Sequence, residues 1–232
     1  NVIQTYVSHL RKALGHNRIE SQGPGYRLRL DPSELDAARF DALMRDAKKS
    51  LPLDPNVAVA TLEDALALWR GPALADLADQ SSLLAEAARL DELRVEAQET
   101  RIEGLLAAGV QAQTIAELEA LIAQHPWRES LWGLLMLAFY REGRQAEALR
   151  SYQRVREILA DELGIDPSPE LARLHRRVLQ QDPGLDLRGE PLRGYRLLEK
   201  IDAGPTGVVF RALQPRVERD VAVKIFHEAI AV

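Results

Sequence analysis

The chain has 232 residues, no cysteine and a formal net charge of −5, a length that allows one large or two small hydrophobic cores. No stretch approaches the roughly 18 uncharged apolar residues of a membrane span, and no basic segment leads into an apolar secretory core, which excludes a membrane protein and a secreted disulfide scaffold. Without cysteine there is no thiolate chemistry and no Cys-based zinc site, and His9, His16, His125, His175 and His227 lack the one-turn spacing of a helical metal site, so a cytoplasmic protein without a metal centre is expected.

The charge is unevenly spread. Residues 1–30 hold five basic groups against one acid, residues 31–183 hold 17 against 27, and residues 184–232 hold eight against seven. A basic end joined to an acidic body suggests a polyanionic partner for the basic end alone. A helical pattern is already running at Asn1, and the chain stops just after an alternating apolar run at 221–226, so an internal piece of a longer polypeptide is expected.

In residues 1–31, Ile3, Val7, Leu10 and Leu14 form one helical stripe, because their spacings are four, three and four. Thr5, Ser8, His9 and Lys12 lie on the opposite face, Arg11 lies on its flank, and Gly15 provides a C-terminal stop. Two strand-like runs follow, at 18–22 and 25–30, separated by a Gly-Pro-Gly turn. Tyr26, Leu28 and Leu30 alternate with Arg27 and Arg29, so one hairpin face can pack while the other presents guanidinium groups. A polar helix beside an arginine-bearing hairpin is the layout of a winged helix on DNA, with a solvated surface helix as the bland alternative.

The run Val2-Ile-Gln-Thr-Tyr-Val-Ser-His-Leu-Arg-Lys-Ala-Leu14, together with Ile19-Glu-Ser-Gln-Gly-Pro-Gly-Tyr-Arg-Leu28, resembles the recognition helix and wing of OmpR-type DNA-binding domains, in the version found in the antibiotic regulatory protein (SARP) family. The resemblance implies that Thr5, Ser8 and His9 face base edges, that Arg11 and Lys12 face phosphates, and that Gln22 to Gly25 form the wing tip, with Arg27 and Arg29 beside it. Where OmpR-type domains often carry Arg before the first wing glycine, this chain has Gln22.

Residues 32–183 show no strand-like alternation. Helical periods run near 36–50, 56–70, 80–107, 111–124, 128–142, 144–163 and 168–180, with Gly or Pro at most joints. Ser168-Pro-Glu170 reads as a capped helix start. A shift of 34 residues superposes Ile102 on Met136, Leu105 on Phe139, Gly109 on Gly143, Leu118 on Tyr152 and Leu121 on Val155, which is the tetratricopeptide (TPR) period of two helices. Trp132, Leu135, Phe139, Ala148 and Tyr152 fall on that pattern's positions, while Met136 sits where it prefers a small residue, so looser packing is expected there. Trp69, Trp127, Trp132, Phe139 and Tyr152 are expected to fill cores, the alternative being a concave protein-binding or self-association surface. The segment 129–166 closely resembles the bacterial transcriptional activator domain that follows the winged helix in SARP and AfsR-type regulators. That resemblance implies a regulator of transcription, acting as a homodimer on repeated promoter sites in double-stranded DNA and contacting RNA polymerase.

Residues 184–194 read as a linker. Strand-like runs at 195–201, 207–212 and 221–226, with a glycine connection at 203–207, resemble the opening of a Ser/Thr protein kinase domain, against the bland alternative of a plain meander. The resemblance implies Gly204 and Gly207 as the second and third loop glycines, Val209 packing on adenine, Ala222 preceding the lysine by two, and Lys224 on the α and β phosphates of ATP. Asp202 replaces the first loop glycine, an acid unfavourable beside a triphosphate. No catalytic loop, magnesium-binding Asp or helix glutamate is present, so this segment is expected not to be catalytic, and ATP is the cofactor only of a longer kinase-like domain.

The expected fold is thus mainly α: a TPR-like helical stack over 32–183, preceded by part of a winged helix over 1–31 and followed, after the linker, by part of a kinase N-lobe sheet over 195–232. The leading functional reading is a DNA-binding transcriptional regulator. A Ser/Thr kinase or ATP-binding pseudokinase with a regulatory N-terminal region is the alternative, and a TPR scaffold without a DNA role is a third.

Overall fold

The computed structural model describes residues 2–77, 79–185, 191–192, 195–204, 207–214 and 219–226. Helix α1 (Val2–Leu14) is followed by a hairpin of β1 (Ile19–Gln22) and β2 (Gly25–Leu28). Gly15, at φ +102°, ends α1 in a backbone region that other residues enter only at a cost. Gln22 pairs with Gly25, leaving a two-residue loop. Gly23 takes φ +53° in it and Pro24 locks a negative φ after it, which suits a tight hairpin.

The helical body is α2 (Asp36–Ser50), α3 (Pro55–Leu66), α4 (Leu84–Ala107), α5 (Ala112–Gln124), α6 (Glu129–Arg141), α7 (Gln145–Leu163) and α8 (Pro169–Leu179). The expected helices stand within a few residues of these bounds because Pro and Gly punctuate most joints. Asp54 accepts backbone N–H bonds from Asn56 and Val57 at the start of α3, and the Ser168 hydroxyl accepts from Leu171 at the start of α8.

Two cores hold the body. Phe40, Met44 and Ala47 of α2 meet Leu62 and Ala65 of α3 and Ala97 of α4, with Trp69 edge-on to Phe40 at 5.5 Å. A larger core runs from Ile102 through Trp132, Leu135, Met136 and Phe139 to Val155, Leu159 and Val178. Met136, at the position where a small residue is usual, is fully buried. Trp132 is fully buried too, its indole N–H donating to the Pro126 carbonyl. Trp127 does not follow the expectation of core filling. The residue is 54% exposed and its Nε1 donates to Glu162, because it sits in the joint before α6 and not on the inward stripe of a helix.

The 34-residue repeat extends to backbone hydrogen bonds. Val110 N donates to Leu105 O at the end of α4, and Arg144 N to Phe139 O at the end of α6. Gly109 and Gly143 provide the left-handed residue between, at φ +85° and +72°. Asp182 N donates to Arg177 O at the end of α8, where Gln181 takes φ +50° without being glycine. The same cap therefore closes α4, α6 and α8.

The remaining described strands are β3 (Pro191–Leu192), β4 (Tyr195–Gly204), β5 (Gly207–Gln214) and β6 (Arg219–Phe226), in antiparallel order β3-β4-β5-β6. Val208, Phe210 and Ala212 of β5 are buried, with Tyr195, Val221 and Val223 packed on them. Pro191 and Leu192, read from sequence as linker, form the short edge strand.

Candidate nucleic-acid interface

The site is built on α1. Val7 is its buried residue, and Arg11, one turn further, faces the hairpin with it. Arg11 Nε donates to the Ile19 carbonyl at 2.9 Å, Nη2 donates to Ser21 Oγ at 3.2 Å, and the guanidinium lies 5.8 Å from the centre of the Tyr26 ring. Ser21 and Tyr26 are cross-strand partners, so they share a hairpin face. Ile19, two residues before Ser21, shares that face and is buried.

Thr5, Ser8, His9 and Lys12 lie on the side of α1 away from the hairpin, all exposed. Among the described residues none of their side chains makes a hydrogen bond or ion pair, so this polar face is open. A third face carries Ile3, Leu10 and Leu14, each about half exposed or more. Gln22 sits at the hairpin tip and Arg27 on its outer face, both exposed. Arg29 is also exposed but is not bare, since Nη1 donates to Glu20 at 2.9 Å.

The base of the hairpin is tied to the body by a contact that periodicity could not reveal. Arg18 forms a two-pronged ion pair with Glu34, with Nη2 donating to Oε1 at 2.7 Å. Glu34 also accepts from the Asp31 N–H, and Asp31 from Ser33, closing a capping box over the short Pro32–Glu34 turn that leads into α2. The Arg18 hydrogen bond, and then the Asp31 N–H, hold the Glu34 carboxyl below its ordinary range.

The candidate nucleotide residues lie together on the C-terminal sheet. Gly204 pairs with Gly207, and a Cβ at Gly204 would meet nothing within 4 Å. Asp202 pairs with Val209, which pairs with Lys224. In-register neighbours project to one side, so Asp202, Val209 and Lys224 form a row across three strands. Ala222 pairs with Arg211 and is exposed. Arg211 bridges Glu199 on β4 and Asp220 on β6, at 2.8 Å each.

A short helix and hairpin thus lead into a stack of paired helices. The chain belongs to the bacterial transcriptional activator domain family, whose match covers residues 35–179, and its relatives are regulators of the SARP type. It is 43% identical over 188 residues to the regulatory protein AfsR of Streptomyces griseus, covering 79% of this chain and 19% of that one. It is 40% identical over 193 residues to the transcriptional regulator RedD of Streptomyces coelicolor, covering 80% and 55%. The chain thus spans from about a fifth to just over half the length of these relatives. Among solved structures, Mycobacterium tuberculosis EmbR, in complex with a low-affinity phosphopeptide, superposes with a TM-score of 0.73 at 29% identity over 97% of this chain and 77% of the other. No helix among the described residues is long and apolar enough to cross a membrane.

Proposed function

We propose that this chain carries the DNA-reading helix and wing of a transcriptional regulator together with the helical domain that transmits its effect. The observation that carries the reading is the open polar face of α1 beside a basic hairpin, on the one segment of the chain with a strong positive balance. Thr5, Ser8 and His9 would meet base edges in the major groove, Lys12 and Arg27 would meet phosphates, and Gln22 would lead the wing. Arg29 would add its charge at the wing while bound to Glu20. The acidic body would be repelled by the duplex, which favours docking through the basic end alone.

The proposed partners of the helical body are RNA polymerase and a second copy bound at a neighbouring promoter repeat. Binding of the intact protein to promoter duplexes, measured across a salt series, tests the reading. Affinity is expected to fall steeply with salt, with a slope near −0.9 for each phosphate neutralised. A salt-independent interaction would remove the phosphate contacts.

A second reading concerns the C-terminal sheet. The row formed by Asp202, Val209 and Lys224, next to an exposed Gly204 that pairs with Gly207, supports a kinase-like nucleotide site for ATP. Glycines there would let the backbone approach phosphates, and Lys224 would supply the charge. With Asp202 on the same side, binding is expected to be weak. Asp202→Gly in the intact protein should raise affinity for a fluorescent ATP analogue about tenfold, by removing a like charge near the phosphates. An unchanged affinity argues against this placement of the nucleotide.

A further inference from the structure

Basic residues on a recognition helix are usually assigned to the DNA backbone, and Arg11 has the right position for that role. Its contacts point elsewhere. Two of its donors are spent on the hairpin, one on the Ile19 carbonyl at 2.9 Å and one on Ser21 Oγ at 3.2 Å, and its planar group stands over the Tyr26 ring. It is half-buried, whereas Thr5, Ser8, His9 and Lys12 are exposed. Among the described residues of the helix and hairpin, the other buried groups are Val7 and Ile19, two aliphatic side chains that can hold a distance but set no angle. A planar fork reaching one backbone carbonyl and one hydroxyl on the same strand does set an angle.

We infer that Arg11 is a positioning residue that fixes the hairpin on the recognition helix, so that its contribution to DNA binding comes through the orientation of Gln22 and Arg27 and not through a phosphate contact of its own. This rests on the DNA-binding reading above. It also gives a reason for arginine over lysine at this position. A lysine keeps the charge but cannot reach a carbonyl, a hydroxyl and a ring face at once from one ammonium.

The test uses the intact protein with Arg11→Lys, Arg11→Gln and Ser21→Ala, reading duplex-DNA affinity across a salt series and hydrogen exchange at the amides of β1 and β2. Arg11→Lys and Arg11→Gln are both expected to lose affinity about tenfold, with an unchanged salt slope and faster exchange in the hairpin. Ser21→Ala, which removes one acceptor and no charge, should show a smaller loss in the same direction. Retained affinity in Arg11→Lys, together with a salt slope reduced by about one in Arg11→Gln, would identify a phosphate contact and overturn the inference. So would hairpin exchange that stays at the wild-type rate in both Arg11→Lys and Ser21→Ala. If the unaltered protein shows no salt-dependent binding, the DNA reading itself falls, and exchange alone decides whether Arg11 holds the hairpin.

Discussion

Arg128 shows how much one side chain can carry in this fold. It stands just before α6, with Nε and Nη2 paired to both carboxylate oxygens of Glu99 and Nη1 paired to Glu92, while Ser130 also donates to Glu99. The Glu99 hydrogen bond is the main reason that the guanidinium is held even more firmly protonated than usual. Removing the arginine strands a largely buried carboxylate. Arg128→Met should therefore cost about 3 kcal/mol in denaturant unfolding, and a loss below about 0.5 kcal/mol would show that the cluster is idle.

His175 is stacked on Tyr152 at 3.9 Å between α7 and α8, and burial pushes its imidazole below the ordinary histidine value. The unfolded chain then takes up a proton at a higher pH than the folded one. Stability is full above the unfolded value of about 6.5 and declines as pH falls through it towards the folded value. His175→Phe keeps a ring on Tyr152 and should flatten this acid limb in thermal melts between pH 7 and pH 5.

At the level of elements, the period of the stack and the placement of its caps were readable because glycine marks two of the three equivalent turns. Gly109 and Gly143 stand 34 residues apart in sequence and in structure. Replacing either with Ala forces a side chain into a left-handed conformation and should cost about 1 kcal/mol each by urea unfolding. The third turn was hidden, because Gln181 takes that conformation without the residue that announces it.

Gly104 was equally silent. It lies inside α4, where glycine only weakens a helix by its own preference, yet a Cβ there would stand 2.8 Å from Val59 Cγ2 and 3.3 Å from Leu51 Cδ1. Gly104→Ala should thus destabilise by about 1–2 kcal/mol despite the better helix former, because the stiff valine cannot yield. A gain in stability would mean that α3 slides away from α4 at little cost.

Across the whole molecule, helix positions, the hairpin and the charge gradient could be seen in the sequence because each depends on local periodicity or on counting. What escaped depends on pairs distant in sequence. Nothing in the periodicity says that Arg18 reaches Glu34, that Arg11 turns towards Ser21, or that Trp127 leaves the core to bond Glu162. The candidate DNA face was legible as a pattern of polar positions, and the structure adds which of its basic groups are already engaged.

The Arg18–Glu34 pair ties the base of the hairpin to the turn that leads into α2, and it is open to solvent, with both side chains about two-fifths exposed. Attraction between such charges is damped by dissolved ions over a distance of about 10 Å at 0.1 M ionic strength. The two groups touch, so this tie resists dilute salt and is weakened only where the screening length shrinks to about 3 Å, at about 1 M. Concentrated brine should therefore quicken amide exchange at the foot of the hairpin while the buried stack keeps its protection, and equal rates at both places in dilute and strong salt would show that the tie is idle.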